Sequence, residues 1–180
     1  HRHGDPRSIR SVASVFVSRI DTAVDKLLDQ LPEHPEAASL RGKAAVAYAN
    51  LIYREFSLIY SGAEFKELEK EGGPIQRVLW GSTGTKDPAY SDIKYMEELI
   101  AENTVNTVPE KTLEAFLDHG TVEETLTADA EEAQGIIDSL HGIGIAMNTI
   151  CAKLLEDGVI AFEQSFDSLL DAIEKKAQSL

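Results

Sequence analysis

Residues 77–108, RVLWGSTGTKDPAYSDIKYMEELIAENTVNTV, predict a strand, a polar loop, a helix and a second strand in succession. The apolar run 78–80 leads directly into the loop 82–86, and the second strand covers 104–108. Between them, apolar residues recur at helical spacing after Ser91, which can cap a helix. This order makes a βαβ unit, whose strands run parallel with a right-handed crossover. Because ligands bind beyond the carboxyl ends of parallel strands, the loop is the first candidate site.

The rest of the chain predicts one further strand and many helices. Residues 12–17 (VASVFV) are nearly all β-branched or aromatic, as in buried parallel strands. Helical periodicity predicts a helix from Ile20 to Pro32, a long helix over 36–60, a shorter one ending near Gly72, and one starting at Pro109. The region beyond Gly120 is predicted to be entirely helical, with a cap at 127–129, breaks at Gly142 and Gly144, and an interruption at Gly158. Strands separated by helical connections indicate the α/β class.

The composition of the 180-residue chain excludes several classes of protein. Its net charge of −14 argues against a nucleic-acid partner, because phosphate neutralisation requires a basic surface. No apolar run approaches the roughly 20 residues that span a bilayer, so no membrane partner is predicted. The lone Cys151 cannot form an internal disulfide and favours a cytoplasmic setting. No set of histidines, cysteines and carboxylates has metal-ligand spacing, and neither a metal nor another cofactor is predicted.

The number of strands indicates an incomplete barrel. A closed (β/α)8 barrel takes about 250 residues, whereas this chain predicts three or four parallel strands. An open sheet of that size leaves both edges ready to pair with another chain. The chain also begins at His1 rather than at a methionine. We therefore predict a partial (β/α)8 TIM barrel that pairs with a second half.

Two long motifs carry a resemblance to a known family. SVASVFVSRIDTAVDKLL (residues 11–28) and WGSTGTKDPAYSDIKYMEELIAENTVNTVPEKTLEAFLDHG (residues 80–120) resemble the sixth strand and its helix, and the seventh strand through the last helix, of transaldolases in their longer bacterial form. Weaker similarity over 42–56 and 158–173 extends the resemblance along nearly the whole chain. The resemblance implies that residues 1–180 are the C-terminal half of the barrel, with a helical extension from about residue 121. In some members an isomerase domain follows.

The chemistry implied by the resemblance is transfer of a dihydroxyacetone unit between sugar phosphates in the pentose phosphate pathway. A lysine forms a Schiff base with the ketose, and carboxylates assist the cleavage of the carbon–carbon bond. In the family, this lysine lies on the fourth strand and the carboxylates lie earlier, upstream of His1. The resemblance therefore implies no catalytic residue in this chain, which alone would be inactive, and its partner would be the N-terminal half of the barrel or a second copy.

Four residues match the family's substrate-phosphate site. Ser14 and Arg19 occupy the serine and arginine positions of the sixth-strand pattern S-x-F-V-x-R-I. Ser82 and Lys86 match the loop after the seventh strand, where shorter members carry arginine in place of Lys86. A lysine supplies positive charge without the bidentate geometry of arginine. The resemblance implies that these four side chains bind the phosphate group.

Each candidate also has a structural alternative. Arg19 could pair with Asp21 or Asp25 on the following helix, and Ser14 could be a small core residue. Ser82 and the threonines of its loop could bond to their own backbone. The loop does not satisfy the P-loop pattern, because Thr85 separates Gly84 from the lysine. The polar residues of the last strand either face the barrel mouth or cap the strand end.

Three hypotheses about function remain open at this point. The first is the C-terminal part of a transaldolase. The second is a related phosphosugar aldolase that releases the three-carbon unit without transferring it. The third is a non-catalytic half-barrel that serves as an interaction module. The residues that distinguish the first two lie upstream of His1 in the family.

Overall fold

Three parallel strands form the sheet, and their order in space is the same as their order in the chain. The computed structural model describes residues 5–179, in which β1 is Val12–Phe16, β2 is Arg77–Gly81 and β3 is Thr104–Asn106. β1 pairs with β2, and β2 pairs with β3, both in parallel. The predicted α/β class with parallel strands is confirmed, and each strand overlaps the apolar run that predicted it.

Helices occupy the connections between the strands and the region after them. They are α1 (Val17–Leu28), α2 (Ala37–Leu40), α3 (Ala44–Ser61), α4 (Ala63–Lys70), α5 (Lys94–Glu97), α6 (Glu110–His119), α7 (Glu131–Gly142) and α8 (Met147–Gln178), with a 3₁₀ turn at Pro6–Ser8. The connection from β1 to β2 contains α1 to α4, and the connection from β2 to β3 contains α5. In α1, Val17, Ile20, Val24 and Leu28 recur at helical spacing and are buried in the core.

The prediction of one long helix over 36–60 is wrong in one respect, because the structure has two helices, α2 and α3, in this region. Gly42 separates α2 from α3 and has a φ of +66°, outside the helical region. The break has a tertiary cause, since Gly42 N donates a hydrogen bond to the buried carboxylate of Asp25 at 3.0 Å. Ala45 N, at the start of α3, likewise donates to Asp21 at 2.8 Å. The carboxylates thus satisfy backbone groups that would otherwise lack partners.

Two other predictions of helices are wrong, and hydrogen bonds to Ile100 explain the differences. The helix predicted after Ser91 is reduced to α5, and residues 121–126, which lie in the region predicted to be entirely helical, have an irregular conformation. The helix predicted after the cap at 127–129 is α7. The Ile100 carbonyl accepts bonds from Thr125 N and Leu126 N at 2.9 and 3.1 Å, and Ile100 N donates to the Thr125 hydroxyl. These bonds occupy the backbone groups that a longer α5 would need.

The last helix, α8, continues through Gly158 without the interruption predicted there. A glycine within a helix costs about 1 kcal/mol relative to alanine, which a long helix tolerates. α8 belongs to a second structural unit that begins at Ala146, whereas the first unit ends at Ile145. Its exposed large apolar side chains are Leu155, Val159, Ile160, Phe162, Phe166, Leu169, Leu170 and Ile173. No helix among residues 5–179 is both long enough and apolar enough to cross a membrane.

The two faces of the sheet differ in burial. Trp80 points to the buried face and is 0% exposed. The strand register pairs Ser14 with Leu79, so these two residues point to the opposite face, here called the open face. On the open face Val12 and Phe16 are 40% and 46% exposed, and Ser14 is also exposed. Parallel sheets are normally covered on both sides, whereas the described residues leave these side chains of the open face exposed.

Candidate functional site

Residues 82–86, here called the β2 loop, begin at the carboxyl end of β2. Ser82 has a φ of +54°, a left-handed conformation that costs a non-glycine residue on the order of 1 kcal/mol. Its carbonyl oxygen accepts a hydrogen bond of 3.1 Å from Ser18 N in the first turn of α1. This bond holds the β2 loop against the start of α1, so that Ser82 and Arg19 lie at the same edge of the sheet.

Ser14 and Arg19 do not take the structural roles that were considered as alternatives. Ser14 is exposed on the open face and is not a core residue. Arg19 is also exposed and, among residues 5–179, forms no ion pair with Asp21 or Asp25. Its guanidinium carbon lies 5.4 Å from the centroid of the Phe16 ring. Among residues 5–179, the donors of the Arg19 guanidinium form no hydrogen bond.

Lys86 lies at the far end of the β2 loop, where its side chain is exposed. It lines a cavity of about 390 Å³ together with Thr22 and Lys26 of α1. Thr22 and Lys26 follow Arg19 by roughly one and two helical turns. The other three predicted site residues do not line this cavity. The structure thus brings Ser82 to the first turn of α1 and Lys86 to a position farther along the same helix.

Hydroxyl groups fix the ends of β2 and β3. Thr83 is 0% exposed and donates to the carbonyl oxygen of Thr107 at 3.2 Å. The Thr107 hydroxyl and backbone N–H both donate to the carbonyl oxygen of Trp80 at 3.0 Å. Asn106 donates through Nδ2 to the carbonyl oxygen of Tyr95 at 3.1 Å. For Asn106 and Thr107, left open by the sequence, the structure favours the backbone-bonding role over a position at the barrel mouth.

Two buried carboxylates beside the β2 loop were not identified as functional candidates from the sequence. Asp21 and Asp25 are 2% and 7% exposed. Asp21 accepts a hydrogen bond from the Tyr95 hydroxyl and Asp25 from the Tyr90 hydroxyl, each at 2.6 Å. Burial raises the pKa of Asp21, and burial is also the main reason why the pKa values of both tyrosines are raised. The sequence does contain one signal of this pair, because a spacing of four residues places both carboxylates on the same side of α1.

An arginine network ties the residue after the β2 loop to α1. The Arg41 guanidinium contacts the carboxylate of Asp29 at the end of α1, and its other terminal nitrogen donates to Asp87 at 3.0 Å. Asp87 directly follows Lys86. The hydrogen bond to Asp29 is the main cause that raises the pKa of Arg41. The chain on the far side of the β2 loop is therefore anchored by charge-assisted hydrogen bonds.

The pKa of His119 is expected to lie above its ordinary value, and the Asp92 carboxylate is the main cause. His119 Nε2 lies 3.1 Å from Asp92, and Nδ1 lies 3.3 Å from Asp118. The charged imidazole is favoured in the fold, so its contribution to stability is full below the ordinary pKa of 6.5 and is lost as pH rises through the raised pKa. In an NMR titration, Asp92→Asn should lower the pKa of His119 more than Asp118→Asn does. A larger decrease in Asp118→Asn would contradict this.

These features define an α/β protein whose candidate site lies at the carboxyl edge of a parallel sheet. A sequence model described as transaldolase/fructose-6-phosphate aldolase matches residues 6–173, and the chain belongs to this family. It is 47% identical over 176 residues to the transaldolase of Renibacterium salmoninarum, covering 97% of this chain and 47% of that protein. It is 46% identical over 177 residues to transaldolase 2 of Streptomyces avermitilis, covering 98% and 47%. The chain spans about half the length of these curated relatives, and the resemblance found in its motifs is confirmed.

Proposed function

We propose that the chain forms the C-terminal half of a transaldolase barrel and supplies the phosphate-binding side of the substrate site. The residues are the four predicted from the motifs, Ser14, Arg19, Ser82 and Lys86. The observation that carries this proposal is the hydrogen bond from Ser18 N to the Ser82 carbonyl, which joins the two motifs at the carboxyl edge of the sheet. Ligands of parallel α/β proteins bind at that edge.

Charge supports a phosphomonoester as the ligand. Arg19 is exposed and, among residues 5–179, forms no ion pair, and it lies at the carboxyl edge of the sheet, whereas Arg77, which is also exposed and unpaired, lies at the amino end of β2. Arg19 presents a planar fork of donors that suits phosphate oxygens, and the hydroxyls of Ser14 and Ser82 can add neutral hydrogen bonds. Lys86 contributes a charge on a long and flexible side chain rather than a fixed bidentate contact.

The open face and the sheet edges support a half-barrel that needs a partner. Among residues 5–179, neither the outer edge of β1 nor that of β3 is paired with another strand. Unpaired edges are templates for further strands, and the apolar side chains Val12 and Phe16 would be buried inside a closed barrel. The partner is the N-terminal half of the same barrel or a second copy of this chain.

In this proposal the covalent chemistry belongs to the other half. The lysine that forms the Schiff base and the acid and base carboxylates lie on earlier strands of the family's barrel, and this chain holds the phosphate of the sugar while they act. Transfer of a dihydroxyacetone unit between sugar phosphates is the reaction. The description of the matching family also names fructose-6-phosphate aldolase, so release of the unit without transfer is the second candidate.

Borohydride reduction tests where the Schiff base forms. The chain alone, incubated with a ketose phosphate and borohydride, should gain no mass, because it lacks the reactive lysine. When the chain is combined with the N-terminal half, the mass of one dihydroxyacetone unit should appear on that half only. Labelling of Lys43 or Lys86 would contradict the proposal, and peptide mass spectrometry after digestion would locate it.

A further inference from the structure

We infer that Tyr90 and Asp25 are positioning residues, which hold the β2 loop so that Lys86 is directed to the phosphate group rather than to nearby carboxylates. This inference rests on the proposed function, because it assigns a phosphate ligand to Lys86. Neither Tyr90 nor Asp25 was among the residues predicted to touch the ligand. They act through the conformation of the loop and through the charges that surround the lysine.

The Tyr90 hydroxyl and Gly42 N together occupy the carboxylate of Asp25. Tyr90 donates to Oδ2 at 2.6 Å, and Gly42 N donates to Oδ1 at 3.0 Å. Asp25 is 7% exposed, so water satisfies little of its hydrogen-bonding capacity. Removing the tyrosine hydroxyl leaves one oxygen of a buried carboxylate without its hydrogen-bond donor. The tyrosine hydroxyl is therefore needed to keep this carboxylate in place.

The ring of Tyr90 fits at this position because residue 42 is glycine. A Cβ atom added to Gly42 would lie 2.7 Å from Tyr90 Cζ, closer than carbon atoms pack. Gly42 also has a φ of +66°, which residues with side chains rarely adopt. The turn between α2 and α3 thus provides a receptacle for the Tyr90 ring, which fixes the chain four residues after Lys86.

The β2 loop is anchored to α1 at both ends. At its start, Ser18 N donates to the Ser82 carbonyl. After its end, Tyr90 N donates to the Asp87 carbonyl at 3.1 Å in a turn, and the Tyr90 hydroxyl donates to Asp25 of α1. Ser18 and Asp25 are seven positions apart on α1, which is about 10 Å along a helix. The two anchors therefore determine the path of the loop, while Lys86 itself has no hydrogen bond or ion pair with the described residues.

The carboxylates around Lys86 are occupied by other groups. The cavity that it lines also contains four aspartates, Asp21, Asp25, Asp29 and Asp87. The Tyr95 hydroxyl and Ala45 N contact Asp21. Arg41 contacts both Asp29 and Asp87, and Tyr90 and Gly42 N contact Asp25. A lysine ammonium beside an unsatisfied carboxylate would form an ion pair with it. Because each of these carboxylates already accepts at least one hydrogen bond, its attraction for Lys86 is weakened, and Lys86 pairs with none of them among the described residues.

The first test compares Tyr90→Phe with Tyr60→Phe by hydrogen exchange. Tyr90→Phe removes the bond to Asp25, whereas Tyr60→Phe removes a hydroxyl that accepts a bond from Gln76 N, away from the loop. Tyr90→Phe should raise exchange at the amides of residues 82–90 by about tenfold, as expected for the loss of one hydrogen bond to a charged group. Tyr60→Phe should leave exchange in this segment unchanged.

The second test is a double-mutant cycle read by the affinity for inorganic phosphate, followed through the amide NMR signals of the β2 loop. Tyr90→Phe should weaken phosphate binding several-fold, because Asp25 then competes for Lys86. In the Lys86→Ala background the same change should have little further effect, since a positioning residue acts through the residue that it positions. A fold that was merely loosened would instead lose affinity in both backgrounds.

The outcomes of these tests separate the inference from the proposed function. Unchanged exchange in Tyr90→Phe, or an equal loss of phosphate affinity with and without Lys86, overturns the inference. Faster exchange together with a loss of affinity that depends on Lys86 supports it. If the unmodified chain combined with the N-terminal half binds no phosphate while Tyr90→Phe still raises exchange, the loop is positioned as inferred and the phosphate site of the proposed function is wrong.

Discussion

Replacing Arg19 by alanine is expected to weaken the binding of a ketose phosphate by about 100-fold, the equivalent of one lost charge-assisted contact of roughly 3 kcal/mol. The arginine is exposed, and the aromatic contact recorded for it joins its guanidinium to the ring of Phe16. An exposed contact of this kind contributes about 0.5–1 kcal/mol to stability. Arg19→Ala should therefore fold normally, and its effect should fall on the ligand.

Arg77 provides a matched control on the same sheet. It is an exposed arginine at the amino end of β2, opposite to the edge at which Arg19 lies. Arg77→Ala removes the same charge from the chain and should leave the affinity for the ketose phosphate within about twofold, because distant exposed charges are screened. Calorimetric titration of each variant, combined with the N-terminal half, with the ketose phosphate and with the unphosphorylated ketose gives both comparisons. Equal losses for the two ligands in Arg19→Ala, or equal losses in both variants, would show that Arg19 does not bind the phosphate.

The strands were predictable because each depends on a local pattern. The apolar runs at β1 and β2 and their connection by helices determine a parallel sheet, since parallel strands need crossover connections. The same rule predicts that the residues after β1 and β2 meet at one edge, as the bond between Ser18 and Ser82 confirms. The break at Gly42 was not predictable in this way, because it depends on the carboxylate of Asp25 in another helix.

The buried carboxylates show where reasoning from the sequence stops. In the sequence, Asp21 and Asp25 are charged residues on an amphipathic helix, and exposure is the usual expectation for such residues. Their burial depends on Tyr95 and Tyr90, which are 74 and 65 positions away in the chain. Local periodicity cannot indicate a partner at that distance. Tyr90 and Tyr95 lie within the helical pattern or the loop after β2, and nothing local distinguishes their hydroxyls as donors.

Asp21→Ala is expected to destabilise the fold by about 3 kcal/mol, because it leaves two buried donors without an acceptor. The Tyr95 hydroxyl donates to Asp21 at 2.6 Å, and Ala45 N donates to it at 2.8 Å. Tyr95 is 2% exposed and Ala45 is 0% exposed, so water cannot replace the lost acceptor. Urea unfolding followed by the fluorescence of the lone tryptophan, Trp80, reports on the sheet core directly, since its indole is fully buried.

Asp21→Asn is the matched variant that separates the lost hydrogen bonds from the lost charge. Asparagine keeps an acceptor for Ala45 N and offers its amide to the Tyr95 oxygen. The free energy of unfolding of Asp21→Asn should therefore lie within about 1 kcal/mol of that of the unmodified chain at neutral pH. Because burial raises the pKa of Asp21, the contribution of this group to stability is full below its ordinary value of 3.8 and is lost as pH rises through the raised pKa. Asp21→Asn should therefore gain stability relative to the unmodified chain as pH rises from about 4 toward neutrality. If the difference in stability between Asp21→Asn and the unmodified chain stays constant across that pH range, the Asp21 carboxylate is not disfavoured in the fold. If Asp21→Asn and Asp21→Ala lose the same stability, the acceptor at residue 21 is not what stabilises the start of α3.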